Sequence, residues 1–322
     1  MELFDSIRRR RLTQKGLSSG KKRRTQADGP VAVSLDRSNI VRYSVYVLFV
    51  VCAALLAFDH AETSGENGIP YGSTLSIVLA AGMVVALFEC FHPKTAHRNG
   101  HVFLVFFCLA FQLASIWLVT VMVDANPALS QSFKLLLIPY GFAPMVLSVL
   151  LGSRLGLYAT GAGSLLGAFL MPKEAILTYL VMSVVCGLAV VLVTRQVRKR
   201  GRLLRAGFYV GGAGVLVASS FGLIALGPLS DGGVIAWQLF GIKIAAAFGV
   251  GLVTGMIVSG LLPLLESTFN LTTDISWLEL SDLNHKLLRR MQLEAPGTFH
   301  HSMVVASLAE AAAEEIDRKS VV

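Results

Sequence analysis

Apolar residues in this chain come in long unbroken runs, not in strand-like alternation or a one-sided helical stripe. Eight runs stand out, at roughly 40–58, 73–91, 101–123, 133–151, 155–171, 174–194, 205–226 and 234–265. A helix of about 20 apolar residues matches the hydrocarbon core of a bilayer, about 30 Å thick. The pattern therefore predicts an all-α polytopic membrane bundle of about eight spans. The fifth run is short. The eighth is long enough to tilt, or to continue as a helix beyond the membrane. Composition agrees: 54% of the residues are hydrophobic and 15% charged, against about 25% charged in soluble domains.

Charge sets the expected orientation. Basic residues crowd the N-terminal segment (Arg8 to Arg11, Lys15, Lys21, Lys22, Arg23, Arg24, Arg37) and the stretch from Arg195 to Arg205. Lys94, Arg98 and Arg154 follow the second and fourth spans. The alternate loops at 59–72, 124–132, 172–173 and 227–233 hold Lys173 as their one basic residue, beside Asp59, Glu62, Glu66, Asp124 and Asp231. The positive-inside rule then puts both termini in the cytoplasm, which requires an even number of crossings. The net charge of +8 is thus read as topology, with no nucleic-acid partner implied. The arm at 1–39 reads as a disordered tail, with attraction to anionic lipid of about 1 kcal/mol per basic residue as the alternative.

Inside the spans, Gly163/Gly167, Gly207/Gly211 and Gly251/Gly255 are spaced for close helix packing. Arg42, Glu89, Lys134, Glu174 and Lys243 are the charged residues to explain, and each can snorkel to an interface. Lys243 reads as an outer anchor. Pro139 and Pro144 are placed to kink the fourth span. Cys52, Cys90, Cys108 and Cys186 all sit in apolar runs without metal spacing, and read as small hydrophobes.

Beyond 265 the character changes. Ser281 and Asp282 are placed to cap a short helix reaching Met291, and Pro296-Gly297 then breaks the chain. A second helix is predicted from about Thr298 to Ile316. His301, Val304, Val305, Leu308 and Ala312 share one face of it, with His300 toward the edge. A histidine on such a stripe is either a metal ligand or a hydrogen-bonded core residue, and position alone leaves both open.

The tract Leu262-Pro263-Leu264-Leu265-Glu266, with Thr273-Asp274, Leu278 to Asp282, Asn284-His285, Leu287-Leu288 and Glu294 to Ala313, resembles the seven-transmembrane HD-hydrolase family of bacterial membrane proteins. The resemblance covers about 73–315. It implies a basic tail (1–39), a first transmembrane helix (40–58), a short extracytoplasmic loop (59–72), and a seven-helix membrane domain (73–265). A cytoplasmic linker (266–295) and the N-terminal fragment of an α-helical HD domain (296–322) follow. It further implies the bacterial inner (cytoplasmic) membrane as location, and a phosphodiesterase that hydrolyses cyclic di-AMP to pApA under control of the membrane domain. The chemistry would rest on a divalent metal pair, Mn or Fe, held by His and Asp ligands. His301, directly before Ser302, matches the first ligand, with His300 and Glu294 as neighbours of the site.

Three departures qualify the resemblance. The family pattern continues past the position of Val322 to a His-Asp pair and later histidines. The 322 residues alone are therefore expected not to hold a stable metal pair or to catalyse. The segment 59–72 stands where the family has a large sensor domain, and Lys286 where it tends to have proline. Two other functions remain open: a non-catalytic membrane receptor or regulatory protein, paired with itself or with an intact HD paralogue, and, less favoured by the few intramembrane charges, a transporter.

Overall fold

A computed structural model of the chain describes residues 36, 38–63, 70–126, 132–195, 201–224, 234–269, 271 and 283–320. Every regular element among them is helical. In chain order they are α1 (Asn39–Thr63), α2 (Pro70–Phe91), α3 (Pro93–Ala96), α4 (Asn99–Asp124), α5 (Ser132–Leu137) and α6 (Phe142–Leu150). Then come α7 (Ser153–Ala168), a 3-10 turn (Lys173–Ala175), α8 (Ile176–Thr194), α9 (Gly201–Ser220), α10 (Val234–Phe269), α11 (Lys286–Glu294) and α12 (Pro296–Ser320). The loops at 64–69, 127–131, 196–200 and 225–233, most of the basic tail, and the stretch 272–282 with Ser281-Asp282 lie outside the described residues.

Seven of the predicted spans are long and apolar enough to cross a membrane. The fifth, α7, has only 16 helical residues, yet its two ends lie at opposite faces of the bundle. Tyr158, near its start, contacts His92 with ring centroids 5.5 Å apart. Met171 and Pro172, just past its end, line a cleft with Asp124 and Phe221 at the other face. Asp36 and Phe269, where the chain enters and leaves the bundle, both approach Gly100. Entry and exit thus share a face, as an even number of crossings requires.

α5 and α6 fill the centre and are the most buried of the spans. α4, α7 and α8 surround α6, and α10 packs on both halves. α1 and α2 pair at one edge, where Leu48, Leu55, Leu79 and Met83 stay exposed. In water such a surface would be a liability; against acyl chains it is at home. Several hydroxyl side chains in the spans are satisfied locally, as lipid demands. Thr120, Thr160 and Thr254 donate one turn back to Ile116, Gly156 and Val250. Ser164–Ser183 and Thr194–Ser148, each 2.9 Å, tie α8 to its neighbours.

The glycine expectation holds at one seam. α9 and α10 approach backbone to backbone, so that a Cβ on Gly207, Gly211, Gly251 or Gly255 would strike main-chain atoms of the facing helix. The other pair behaves differently. Gly167 makes room for the Tyr179 ring, whereas a Cβ on Gly163 would meet open space. Gly163 serves instead through its carbonyl, which accepts the Tyr179 hydroxyl at 3.1 Å.

Candidate functional site

The two helices predicted beyond the last span form, with shifted starts. α11 begins at Lys286, capped by His285, whose Nδ1 accepts from the Leu287 amide at 3.4 Å. α12 begins at Pro296, two residues before the predicted start, because proline fits the first helical turn. His300 and His301 both lie on α12 and are exposed, as are Val304, Val305, Leu308 and Ile316. The His300 ring meets Phe299 edge-on at 5.9 Å. Glu294 ends α11 and pairs with Arg290 at 2.8 Å. No hydrogen bond or ion pair among the described residues joins Glu294, His300 and His301. No group of three His, Cys, Asp or Glu side chains there could hold a metal ion. The described residues therefore do not make a metal centre. They offer one imidazole on an apolar face that has no complement.

Two ion pairs lie within the bundle among the described residues. At the face where the chain enters, Arg42 Nε lies 3.2 Å from Glu89 Oε1, and the same oxygen accepts from Tyr46 at 2.7 Å. Arg42 also donates to the Ala96 carbonyl at 3.3 Å. His92 stands nearby, stacked on Phe88, with its Nδ1 buried and unpartnered among the described residues. Burial, and next the Arg154 guanidinium, hold the His92 imidazole below the usual histidine range.

The fourth span is broken, not merely kinked. Residues 138–141 leave the helix between α5 and α6. Pro139 lies in the break, while Pro144 sits harmlessly in the first turn of α6. Free backbone groups in lipid cost several kcal/mol (~) unless they are satisfied. Gln112 on α4, 4% exposed, satisfies two of them. Its amide donates to the Pro139 carbonyl at 2.9 Å and accepts from the Ala143 amide at 3.3 Å. The Tyr140 hydroxyl closes the other side on the Leu135 carbonyl, 2.8 Å away. The cavity left beside the break is about 20 Å³, room for about one water. Broken helices often mark transporter sites; this one is clamped shut.

At the opposite face lies a cleft of about 740 Å³, between the ends of α4, α5, α8 and α9 and the 3-10 turn. Lys134 forms its base, 7% exposed, with Nζ 2.6 and 2.7 Å from the two oxygens of Asp124. Glu174 and Thr178 line one side, Phe221 and Leu223 the other. Lys243, expected as an outer anchor, holds the Leu223 carbonyl at 2.7 Å. Sequence reasoning took Lys134 for a snorkelling residue and Asp124 for a loop charge. Their pairing spans a turn whose course the sequence does not specify. Gln112 was missed because a lone amide in an apolar run carries no motif.

Comparison with known proteins gives one family match. The family described as 7TM receptor with intracellular HD hydrolase matches residues 68–273, more than half of the chain. A Cyclic-di-AMP phosphodiesterase PgpH of Listeria monocytogenes is 30% identical over 185 residues, which is 58% of this chain and 25% of that protein. The protein of the same name in Bacillus subtilis is 28% identical over 188 residues, 56% of this chain and 25% of the relative. A Synechocystis protein, slr0104, is 32% identical over 153 residues, covering 47% of this chain and 18% of its own length. The match thus spans about a quarter of the length of the first two relatives. No solved structure matches the chain.

Proposed function

Because the chain belongs to the family of 7TM receptors with an intracellular HD hydrolase, we propose that it is the membrane-embedded control unit, with the leading helix, of a metal-dependent phosphodiesterase of the bacterial inner membrane. Its substrate is cyclic di-AMP, as the names of two relatives say of those proteins, and its product pApA. Both termini face the cytoplasm, following the Lys and Arg distribution. His301 is the first metal ligand, and His300 and Glu294 flank it. The metal pair, Mn or Fe, would act as Lewis acid and source of hydroxide.

One observation carries the reading. α10 runs 36 residues along the bundle and ends at Phe269, on the face where the chain enters, and α12 then presents His301 on an apolar stripe that nothing among the described residues covers. Such a stripe is what the first helix of a larger helical domain needs in order to pack. The described residues supply a single ligand, so residues 1–322 by themselves are proposed not to turn over cyclic di-AMP. The remaining ligands must come from other helices.

The test is hydrolysis of cyclic di-AMP with Mn²⁺ by the protein joined to a complete HD domain. His301→Ala should lower turnover at least a hundredfold and leave the thermal midpoint of the membrane bundle unchanged. Full activity in that variant would remove His301 from the metal site, and absence of any turnover in the parent would remove the substrate assignment.

A further inference from the structure

α1 and α4 pack on each other but leave a groove along their outer side, and hydrolysis near His301 gives it no role. Its volume is about 360 Å³, and its ten lining residues are all apolar. Two rows of residues four apart run side by side on α4. Phe103, Phe107 and Phe111 form a ridge, 41–47% exposed. In the next row Phe106 is buried and Ala110 and Ala114 follow, so the surface falls away. On α1 the exposed Leu48 makes the opposite ridge, while the buried Phe49 and the short Cys52 lie below it.

Depth and width select the occupant. On α4 the lining runs from Phe103 to Ala114, about 16 Å at 1.5 Å per residue, and it starts about 6 Å from the first helical residue, Asn99. Half of a hydrocarbon core is about 15 Å, so the groove spans the leaflet on the face where the chain enters. Spread over that length, its volume leaves a channel narrower than the 10–12 Å (about) of a helix with its side chains. The groove supplies ten residues, where a stable protein interface takes about 20–30 a side. An extended peptide is excluded as well, because no lining side chain could satisfy its N–H and C=O groups. The groove is continuous with the exposed apolar surface of α1 that faces lipid.

We propose that this groove is a lipid site, and that it holds an acyl chain of a membrane phospholipid from the entry-side leaflet, with the headgroup beyond the start of α4. Lipid tails are as apolar as the groove, so the hydrophobic effect does not favour it. The gain is contact. A chain in the groove touches protein on three sides, a chain on a convex helix surface on one, and dispersion sums over those contacts. Phe103 also stacks on Phe269, the last residue of α10, with ring centroids 6.2 Å apart. A chain seated against Phe103 therefore bears on the end of the helix that leads toward His301. The inference rests on the control function above for that consequence alone. Occupancy needs no hydrolysis, so failure of one leaves the other readable.

Photolabelling tests the proposal. The full chain is placed in vesicles of phosphatidylethanolamine and phosphatidylglycerol that include a phosphatidylethanolamine with a diazirine midway along one acyl chain, and adducts are mapped by peptide mass spectrometry. Adducts per residue at 45–52 and 103–114 should exceed at least threefold those at Met83 and Phe208, which are as exposed and lie outside the groove. They should also saturate as the share of diazirine lipid rises, while those at Met83 and Phe208 rise in proportion. Ala110→Phe and, from the other helix, Cys52→Phe fill the groove and should bring its adducts down to the level of those controls. Saturation in the parent decides the question even where a variant fails to fold. Even labelling of all exposed apolar positions, labelling without saturation, undiminished labelling in both folded variants, or adducts that join two copies of the chain through the groove would each overturn the assignment.

Discussion

Alanine at position 251 isolates the contact on which the α9–α10 pair depends. The new Cβ would stand 2.9 Å from the Gly211 amide nitrogen and 3.2 Å from its Cα, and closer still to the Gly207 carbonyl. Favourable carbon contacts lie at about 3.5–4.0 Å, and a gap of about 0.5–1 Å forfeits a quarter to a half of each contact. All three obstacles are backbone, so no side chain can rotate away and the helices themselves must part. Overpacking of this kind costs about 1–3 kcal/mol. Gly249 is on the same helix with nothing within 4 Å of a Cβ. There alanine brings only the conformational gain of leaving glycine, about 0.5–1 kcal/mol. That gain is common to both variants, so their difference reports the seam alone. Thermal unfolding in one detergent, followed by loss of monodisperse protein, should rank Gly249→Ala at or above the parent and Gly251→Ala below it by several degrees. A Gly251→Ala midpoint equal to that of Gly249→Ala would refute the account of the seam.

Two further outcomes follow from buried polar groups. Gln112→Leu removes the partner of the Ala143 amide and leaves the Pro139 carbonyl with the Phe142 amide at 3.2 Å; at about 1–3 kcal/mol for the orphaned amide, it should destabilise the bundle more than Gln112→Glu with its retained acceptor, and equal midpoints would show that the break does not need the clamp. His92 is held below the ordinary value of 6.5, so its neutral form is the one that the fold favours. Its contribution is complete above about pH 6.5 and declines as the pH falls, because the unfolded chain takes up the proton first. His92→Gln should therefore lose less stability than the parent between about pH 7.5 and pH 5, and parallel losses would exclude His92 as the cause.

Much of the bundle is legible in the sequence because its physical signal is strong. A run of 20 apolar residues has few fates, and the alternation of basic and acidic loops repeats that count independently. What stayed hidden was chemistry between helices. Pro139 and Pro144 look alike in one dimension, yet one opens the span and the other fits a helical first turn. Lys134 finds Asp124 across a loop, and Gln112 finds a break on another helix. Neither pairing has a periodicity to betray it. At the C-terminal end the helix and its apolar stripe were readable to within a few residues. The role of His301 was not, since a stripe says that something packs there without saying what a histidine on it holds. That part rests on likeness to the family.

The glycine seam has one more consequence, for motion. Gly207 and Gly251 each sit in a notch formed by the backbone of the facing helix, so the two main chains are in contact with no side chain between them to yield. A motion that keeps this fit moves α9 and α10 together. The unit that can move is the pair, and it carries with it Phe221 and Leu223 at one face and the helix leading toward His301 at the other.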